Sequence, residues 1–307
     1  MSSIAGELYS SKCRFIYELL QNADDSTYAA GQGEPCITIS LHPDRFVLDT
    51  NETGFTIANV KAICDTGESS KKISADDRSI GEKGYGFKSV FAVAYRARVQ
   101  SGHWSFCFEH HEGDDGLGML TPKDIEAELL PQGTTTRIEL KLLDDPGDLF
   151  EQLWKELTSL HDTTIFFLQN IKRLVVNTHN HDGSYICTDI RARARQDQSA
   201  ILGSVKSLTR EATTYQNGQP NPTTSTTKFY HILDHYIYDM PPEKHRKDRT
   251  WSLLKLAFPF THGSKEPIVD SDGEHVFAYL PLYRKPHLPV SICNFPNTVN
   301  CLTTYSF

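Results

Sequence analysis

Phe15-Ile-Tyr-Glu-Leu-Leu-Gln-Asn-Ala-Asp-Asp25 is the stretch from which the fold can be read. Its apolar residues recur at helical spacing. At ~100° per residue, Glu18, Asn22 and Asp25 fall within about 60° of one another. They form an acidic, amide-bearing stripe, while Phe15, Ile16, Leu19, Leu20 and Ala23 form a stripe for a core. A polar stripe alone is ordinarily a solvated face. A second stretch, Gly81-Glu-Lys-Gly-Tyr-Gly-Phe-Lys-Ser89, gives it further meaning.

Outward from these stretches the elements follow in order. The opening helix is expected from near Ile4 to Ser26. Cys36–Leu41 alternates as a strand, with Arg45–Asp49 as its hairpin partner. Asn51-Glu-Thr-Gly54 breaks the pattern, and Thr56 can cap a helix through Cys64. Asp65–Ser79 is polar and rich in small residues, which predicts a mobile loop. Ser89–Tyr95 reads as a short apolar helix. Strands follow at Arg96–Gln100, His103–Phe108 and Gly133–Leu142. A helix is expected over about Pro146–Leu160, and a strand over Ile171–Val176. Gln196–Lys228 is rich in Ser, Thr, Asn and Gln and holds Asn217-Gly-Gln-Pro-Asn-Pro222, which predicts an insertion or linker. Three β-like runs follow: Leu253–Phe260, His275–Leu280 and Pro289–Phe295. The last residues do not read as a completed element, as expected of a piece of a longer chain.

The chain has 307 residues, room for about two domains at roughly 150 residues each. Its net charge of -8 argues against a protein whose main task is coating nucleic acid. No basic-then-apolar leader opens it, and no apolar run reaches the ~18 residues of a membrane span. The seven cysteines are odd in number and scattered, as expected for reduced thiols in a cytosolic or nuclear protein. His179-Asn-His181 and His110-His111-Glu112 lack the matched spacing of a zinc site.

Gly81-x-x-Gly84-x-Gly86 frees the backbone to approach a ligand, and the following helix adds the positive end of its dipole. A P-loop is excluded because Phe87 displaces Lys88-Ser89 by one position. A dinucleotide fingerprint is excluded because Ser89 stands where its third glycine belongs.

The order of segments resembles the GHKL superfamily of ATPases: gyrase B, the ninety-kilodalton heat-shock chaperones, histidine kinases and MutL. Glu18–Asp25, Ala62-Ile-Cys-Asp-Thr-Gly-Glu-Ser-Ser-Lys-Lys72 and Gly81–Phe91 resemble more closely the sacsin/NO VEIN-type proteins, large chains with a heat-shock-chaperone-like ATPase module. The resemblance is dense over residues 5–175 and thinner at Trp251–Phe260 and Val276–Pro281. It implies an α/β (α+β) two-layer sandwich, a mixed sheet covered on one face by helices, at residues 1–175. An insertion or linker at 176–228 and a partial second, β-rich domain at 229–307 would follow.

The resemblance also assigns roles. Asn22 would give an amide oxygen to Mg²⁺, a hard ion that prefers oxygen. Glu18 would polarise the attacking water, an effect worth typically ~10²–10⁴-fold. Asp25 matches an acid behind the metal or on the ribose side. The backbone of Gly81, Lys83, Gly84, Tyr85, Gly86 and Phe87 would hold the phosphates of ATP. Asp65–Ser79 would be a lid, from which Lys71 or Lys72, or Lys83 beyond it, would reach the phosphates. Thr134, after Gly133, matches a threonine that helps hold adenine. The superfamily's adenine turn, Asp-x-Gly-x-Gly, is altered. Counting back four from Gly54 lands on Thr50, and Glu52 takes the inner glycine position, as in the NO VEIN-type pattern. Asp49 is one residue out of register and could take part only through a bulge. Asn51 belongs to the same turn. Asp49 and Asn51 also suit a hairpin turn with no ligand.

Two functions are therefore expected to compete: a slow Mg²⁺-dependent ATPase of chaperone type, and a nucleotide-binding scaffold without chemistry. Expected partners are ATP and either protein clients or other parts of a longer chain, with neither membrane nor nucleic acid.

Overall fold

The computed structural model describes residues 12–31, 33–64, 86–111, 117–144, 149–195, 204–239, 251–263, 266, 268, 276–278, 280–282 and 291–295. Four α-helices lie among them: α1 (Arg14–Asp24), α2 (Ile57–Cys64), α3 (Leu149–Thr158) and α4 (Thr164–Phe167). The strands are β1 (Cys36–His42), β2 (Arg45–Thr50), β3 (Ala94–Ser101), β4 (Trp104–Glu109), β5 (Lys123–Asp124), β6 (Thr136–Leu142), β7 (Arg173–His179) and β8 (Tyr185–Arg195). They continue with β9 (Ser204–Gln216), β10 (Gln219–Pro220), β11 (Thr224–Ile237), β12 (Ser252–Phe260), β13 (Val276–Ala278), β14 (Leu280–Leu282) and β15 (Ser291–Phe295).

All of these strands join one mixed sheet in the order β14-β13-β15-β12-β11-β9-β8-β7-β1-β2-β6-β3-β4-β5, with β10 on β9. β1 runs parallel to β7, and β13 parallel to β15. The other pairs are antiparallel. Burial alternates along the central strands, as expected when one face packs and the other meets solvent. Ile37, Ile39 and Leu41 of β1 are fully buried, as are Phe46 and Leu48 of β2 and Leu140 of β6. These residues form one core with Phe15, Ile16 and Leu19 of α1 and Leu149 and Leu153 of α3. Phe15 meets Phe46 edge to face at 5.1 Å. Fully burying side chains of this size is worth about 1.5–3 kcal/mol each, so the apolar stripe of α1 anchors it to β1 and β2.

Two expectations change. The apolar run Ser89–Tyr95 is not a single helix. A 3-10 helix covers Phe87–Ala92, and β3 begins at Ala94, which pairs with Leu142. An unbroken apolar run has no period to separate helix from strand, and pairing with β6 decides its end. In the polar segment Gln196–Lys228, residues 204–228 build β9, β10 and the start of β11 in the same sheet. Threonine suits strands exposed to solvent, and here it pairs across them: the Thr209 and Thr227 hydroxyls lie 3.2 Å apart, and those of Thr213 and Thr223 2.7 Å apart. Asn217 and Gly218, both at positive φ, form the tip between β9 and β10.

A row of stacked rings crosses four strands: His42 on His179 (centroids 4.0 Å), His179 on Tyr185 (4.6 Å) and Tyr185 on Tyr215 (4.4 Å). Burial pushes His42 down to about 4, helped by His179 and Arg45. Burial also lowers His179. Both folded values lie below the ordinary histidine value near 6.5. As pH falls below that value, the unfolded chain takes up protons that the folded chain refuses. Stability is therefore present above about pH 6.5 and, on the His42 share, lost as pH falls towards about 4. Thermal melts between pH 7 and pH 4 should show this loss. His42→Phe keeps the stack without the titration and should flatten the dependence; an unchanged slope would remove His42 from the account.

Candidate functional site

α1 presents Glu18 and Asn22 on its free side, with Asn22 exposed. Asp25 lies just beyond the helix as its C-terminal cap, and its N–H donates to the Gln21 carbonyl at 2.9 Å. Arg14, one turn before Glu18, donates to Glu18 Oε1 from Nε at 3.0 Å and from Nη2 at 2.8 Å. The other oxygen, Oε2, faces Gly86: a Cβ on that glycine would stand 2.7 Å from it. The acidic side of α1 and the last glycine of the Gly81–Gly86 run are therefore in contact, across 68 residues of sequence.

Beyond Gly86, the Phe87 side chain is buried and tilted against Phe108. It fixes the chain directly after Gly86. Lys88 Nζ donates to the Met119 carbonyl and lies 4.4 Å from the centre of the Phe108 ring. Burial pushes Lys88 down to about 8. Ser89 Oγ donates to the Gly86 carbonyl at 2.6 Å. Lys71, Lys72, Gly81, Lys83, Gly84, Tyr85 and the expected lid at 65–79 lie outside the described residues.

The turn after β2 divides the remaining candidates. The β1–β2 and β2–β6 registers run without a bulge through Thr50. Phe46, Leu48 and Thr50 therefore point to the α1 side, and Asp49 to the opposite face. There Asp49 accepts two bonds from Arg137, each at 2.7 Å. Asn51 holds the start of β1 by accepting from Cys36 N–H at 2.8 Å and donating to the Glu34 carbonyl at 3.0 Å. The structure does not bring either side chain together with Glu18. Gly54 sits at φ +94°, with Gly102 Cα 3.6 Å from where its Cβ would be, so a side chain there would be strained. Thr134 lies in the turn before β6, where its N–H donates to the Pro131 carbonyl at 3.0 Å.

Glu52 of the altered turn, and residues that the sequence did not single out, complete this end of the sheet. Glu52 is only 4% exposed; burial raises its carboxyl, while hydrogen bonds with Ser26 and Thr136 oppose that shift. The Ser101 and Thr136 hydroxyls share a bond at 2.5 Å, and Ser101 Oγ also accepts from Phe55 N–H at 2.8 Å. Tyr28 donates to the Ala23 carbonyl at 2.8 Å. Its hydroxyl is pushed far up by burial, then by the charges of Glu52 and Asp24. Asp24 is fully buried, and its carboxylate accepts from the N–H groups of Gln169, Asn170 and Ile171. A helical wheel puts Asp24 about 40° from Leu20, and an acid on the apolar stripe is the signal that could have found it.

No protein-family model matches the chain. Protein NO VEIN of Arabidopsis thaliana is 34% identical over 190 residues, spanning 57% of this chain. The chain is similar to NO VEIN-type proteins. A weaker similarity, 30% over 162 residues and 45% of this chain, joins it to the chaperone protein HtpG of Rickettsia rickettsii. The matches span 7% of NO VEIN and 26% of HtpG. Among the described residues no helix is long and apolar enough to cross a membrane.

A nucleotide and its Mg²⁺, which the resemblance to NO VEIN-type chains implies, can be tested against the residues present. Gly86 leaves room for Glu18 where any Cβ would intrude, Asn22 offers an exposed amide, and Thr50 holds a buried hydroxyl without a hydrogen-bond partner. Gly86 and Asn22 fit the phosphate and metal portions of such a ligand.

Proposed function

We propose that the chain binds Mg²⁺-ATP between the polar side of α1 and the glycine segment, and hydrolyses it slowly as part of a chaperone-like conformational module. The observation that carries this reading is the approach of Glu18 Oε2 to Gly86. It puts a carboxylate beside a backbone suited to phosphate oxygens. Asn22 would hold the metal through its amide oxygen. Bound Mg²⁺ supplies charge neutralisation to the phosphates. Glu18 would accept the proton of the attacking water through Oε2 while Arg14 fixes Oε1. Resemblance to NO VEIN-type chains and to HtpG supports the same assignment. In this reading residues 1–175 form a two-layer nucleotide-binding unit, and 229–307 belong to an adjoining one whose partners include other parts of a longer chain.

A second reading is binding without turnover. The pairing of Glu18 with Arg14 favours it, because Oε1 is already engaged by two hydrogen bonds from one guanidinium and is not free to take a water.

Thermal unfolding with and without Mg²⁺-ATP tests binding. At a nucleotide concentration about 100 times Kd, binding adds about 2.7 kcal/mol to the native state, and the midpoint should rise by several degrees. Asn22 is exposed in a helix, where alanine is well tolerated. Asn22→Ala should therefore keep the nucleotide-free midpoint and lose the rise. No rise in the parent at millimolar Mg²⁺-ATP would reject the proposal. Phosphate release that scales with parent protein and vanishes in Asn22→Ala would reject the reading without turnover.

A further inference from the structure

We propose that the cavity between the C-terminal half of α3 and strands β7 to β9 binds a small neutral molecule, largely apolar with one hydrogen-bonding group. The proposal is independent of the nucleotide reading, because no wall of this cavity comes from α1 or from the glycine segment. The cavity has a volume of about 240 Å³. Short side chains on the sheet make it. Thr178 pairs with Ile186, and Thr188 with Val176, across β7 and β8 on the face that α3 covers. Each threonine lacks the outer carbon of an isoleucine, and room is left beneath the helix. Thr178 is 3% exposed and Thr188 9%. Each brings to the wall a hydroxyl that can donate or accept. Leu157 of α3, also buried, closes the opposite side. Trp154, Ile186 and Arg210 are half-buried and form the rim towards solvent.

Charge and volume set the class of ligand. Among the described lining residues only Arg210 is charged, and its Nη1 donates to Asp162 Oδ1. The pair is neutral as a whole. An anion would gain from Arg210 and lose against Asp162, and a cation the reverse. A neutral molecule meets neither penalty. Its single polar group can use the other guanidinium N–H groups or a threonine hydroxyl. The rest of the wall is apolar and gains by covering apolar surface. An apolar cavity of about 150 Å³ stays dry and takes up benzene. In proportion, about 240 Å³ holds roughly ten non-hydrogen atoms, the size of a benzene ring with a short polar substituent.

Benzyl alcohol, benzoate and benzylamine share that size and differ in charge, so they are the probes. Ligand-observed NMR titration of the parent should show saturable binding of benzyl alcohol at millimolar concentration, and binding of the two ions about tenfold weaker. Ile186→Phe fills the rim from a strand position that suits an aromatic residue. It should abolish benzyl alcohol binding and keep the ligand-free thermal midpoint at or above that of the parent. Thr188→Ile closes the wall by a smaller change and should also abolish binding, which keeps the test open if the phenylalanine variant fails to fold. Asp162→Asn strips Arg210 of its counter-charge and should reverse the preference, so that benzoate binds more tightly than benzyl alcohol. No saturable binding of benzyl alcohol by the parent would overturn the inference. So would parental binding in a folded Ile186→Phe or Thr188→Ile variant, which would place the probe elsewhere. Benzoate bound by the parent as tightly as benzyl alcohol would overturn the neutral class of ligand.

Discussion

Asp24→Ala is expected to lower stability by about 3–5 kcal/mol, the largest loss for any single substitution at this site. The carboxylate has no exposure and accepts from Gln169 N–H at 2.8 Å, Asn170 N–H at 2.9 Å and Ile171 N–H at 3.0 Å. Hydrogen bonds to a charged group are worth roughly 1.5–3 kcal/mol each, and a buried donor left unpaired costs about 1–3 kcal/mol. Alanine would remove the acceptor from all three donors at once. Asn170 Nδ2 also donates to the Asp24 carbonyl at 2.6 Å, so the same segment is held from two directions. Asp24→Asn keeps one acceptor oxygen and should fall between the parent and Asp24→Ala. Urea titration gives the difference directly. A loss below about 1 kcal/mol would mean that other contacts hold the segment before β7.

Glu18→Ala is expected to reduce ATP turnover by ~10²–10⁴-fold while leaving binding intact. Gly86→Ala should reproduce much of that loss by a different route. Gly86 sits at φ -57°, ψ -49°, a helical conformation that alanine adopts without strain. The new Cβ would stand 2.7 Å from Glu18 Oε2. The carboxylate is the far end of a flexible side chain, so it would swing away and the fold would be retained. The two substitutions act on one group, so their effects should not add: the double variant should be no slower than Glu18→Ala alone. Single-turnover assays with matched binding measurements decide the matter. Parental turnover in Gly86→Ala would show that Oε2 is not the working oxygen.

Much of the central sheet was legible because alternation and turns carry strong local signals. Cys36–Leu41 and Arg45–Asp49 are β1 and β2 nearly residue for residue, and α1 ends within two residues of its expected stop. The apolar stripe of α1 is buried as the wheel requires. The site was less legible where the answer depends on a partner distant in sequence. Asp49 resembles a ligand-binding acid until the unbroken register with β6 sets it beside Arg137. Asn51 resembles a turn residue, and in the structure its amide is spent on the edge of β1. Thr50 stood out in the sequence only as the residue four before Gly54; that its hydroxyl is buried without a hydrogen-bond partner is visible only once its neighbours are in place. The resemblance gave Glu18 the attacking water and the Gly86 backbone the phosphates; that the two meet, with one carboxylate oxygen on Arg14 and the other facing the glycine, required the structure.

The parallel pairing of β1 with β7 has a consequence for the chain as it is made. The partners of Asp24 lie at Gln169 and beyond, 145 residues later, and β1 has no neighbour on one side until β7 arrives. Closing so long a loop carries an entropic cost before any contact repays it, and topologies of this kind fold slowly. On the ribosome, α1, β1 and β2 emerge with an unpaired strand edge and with the Asp24 carboxylate lacking its N–H donors. They must wait for the chain through residue 171 to be synthesised. Truncations ending before β7 should therefore aggregate, and those extending past His179 should be the first to yield soluble protein.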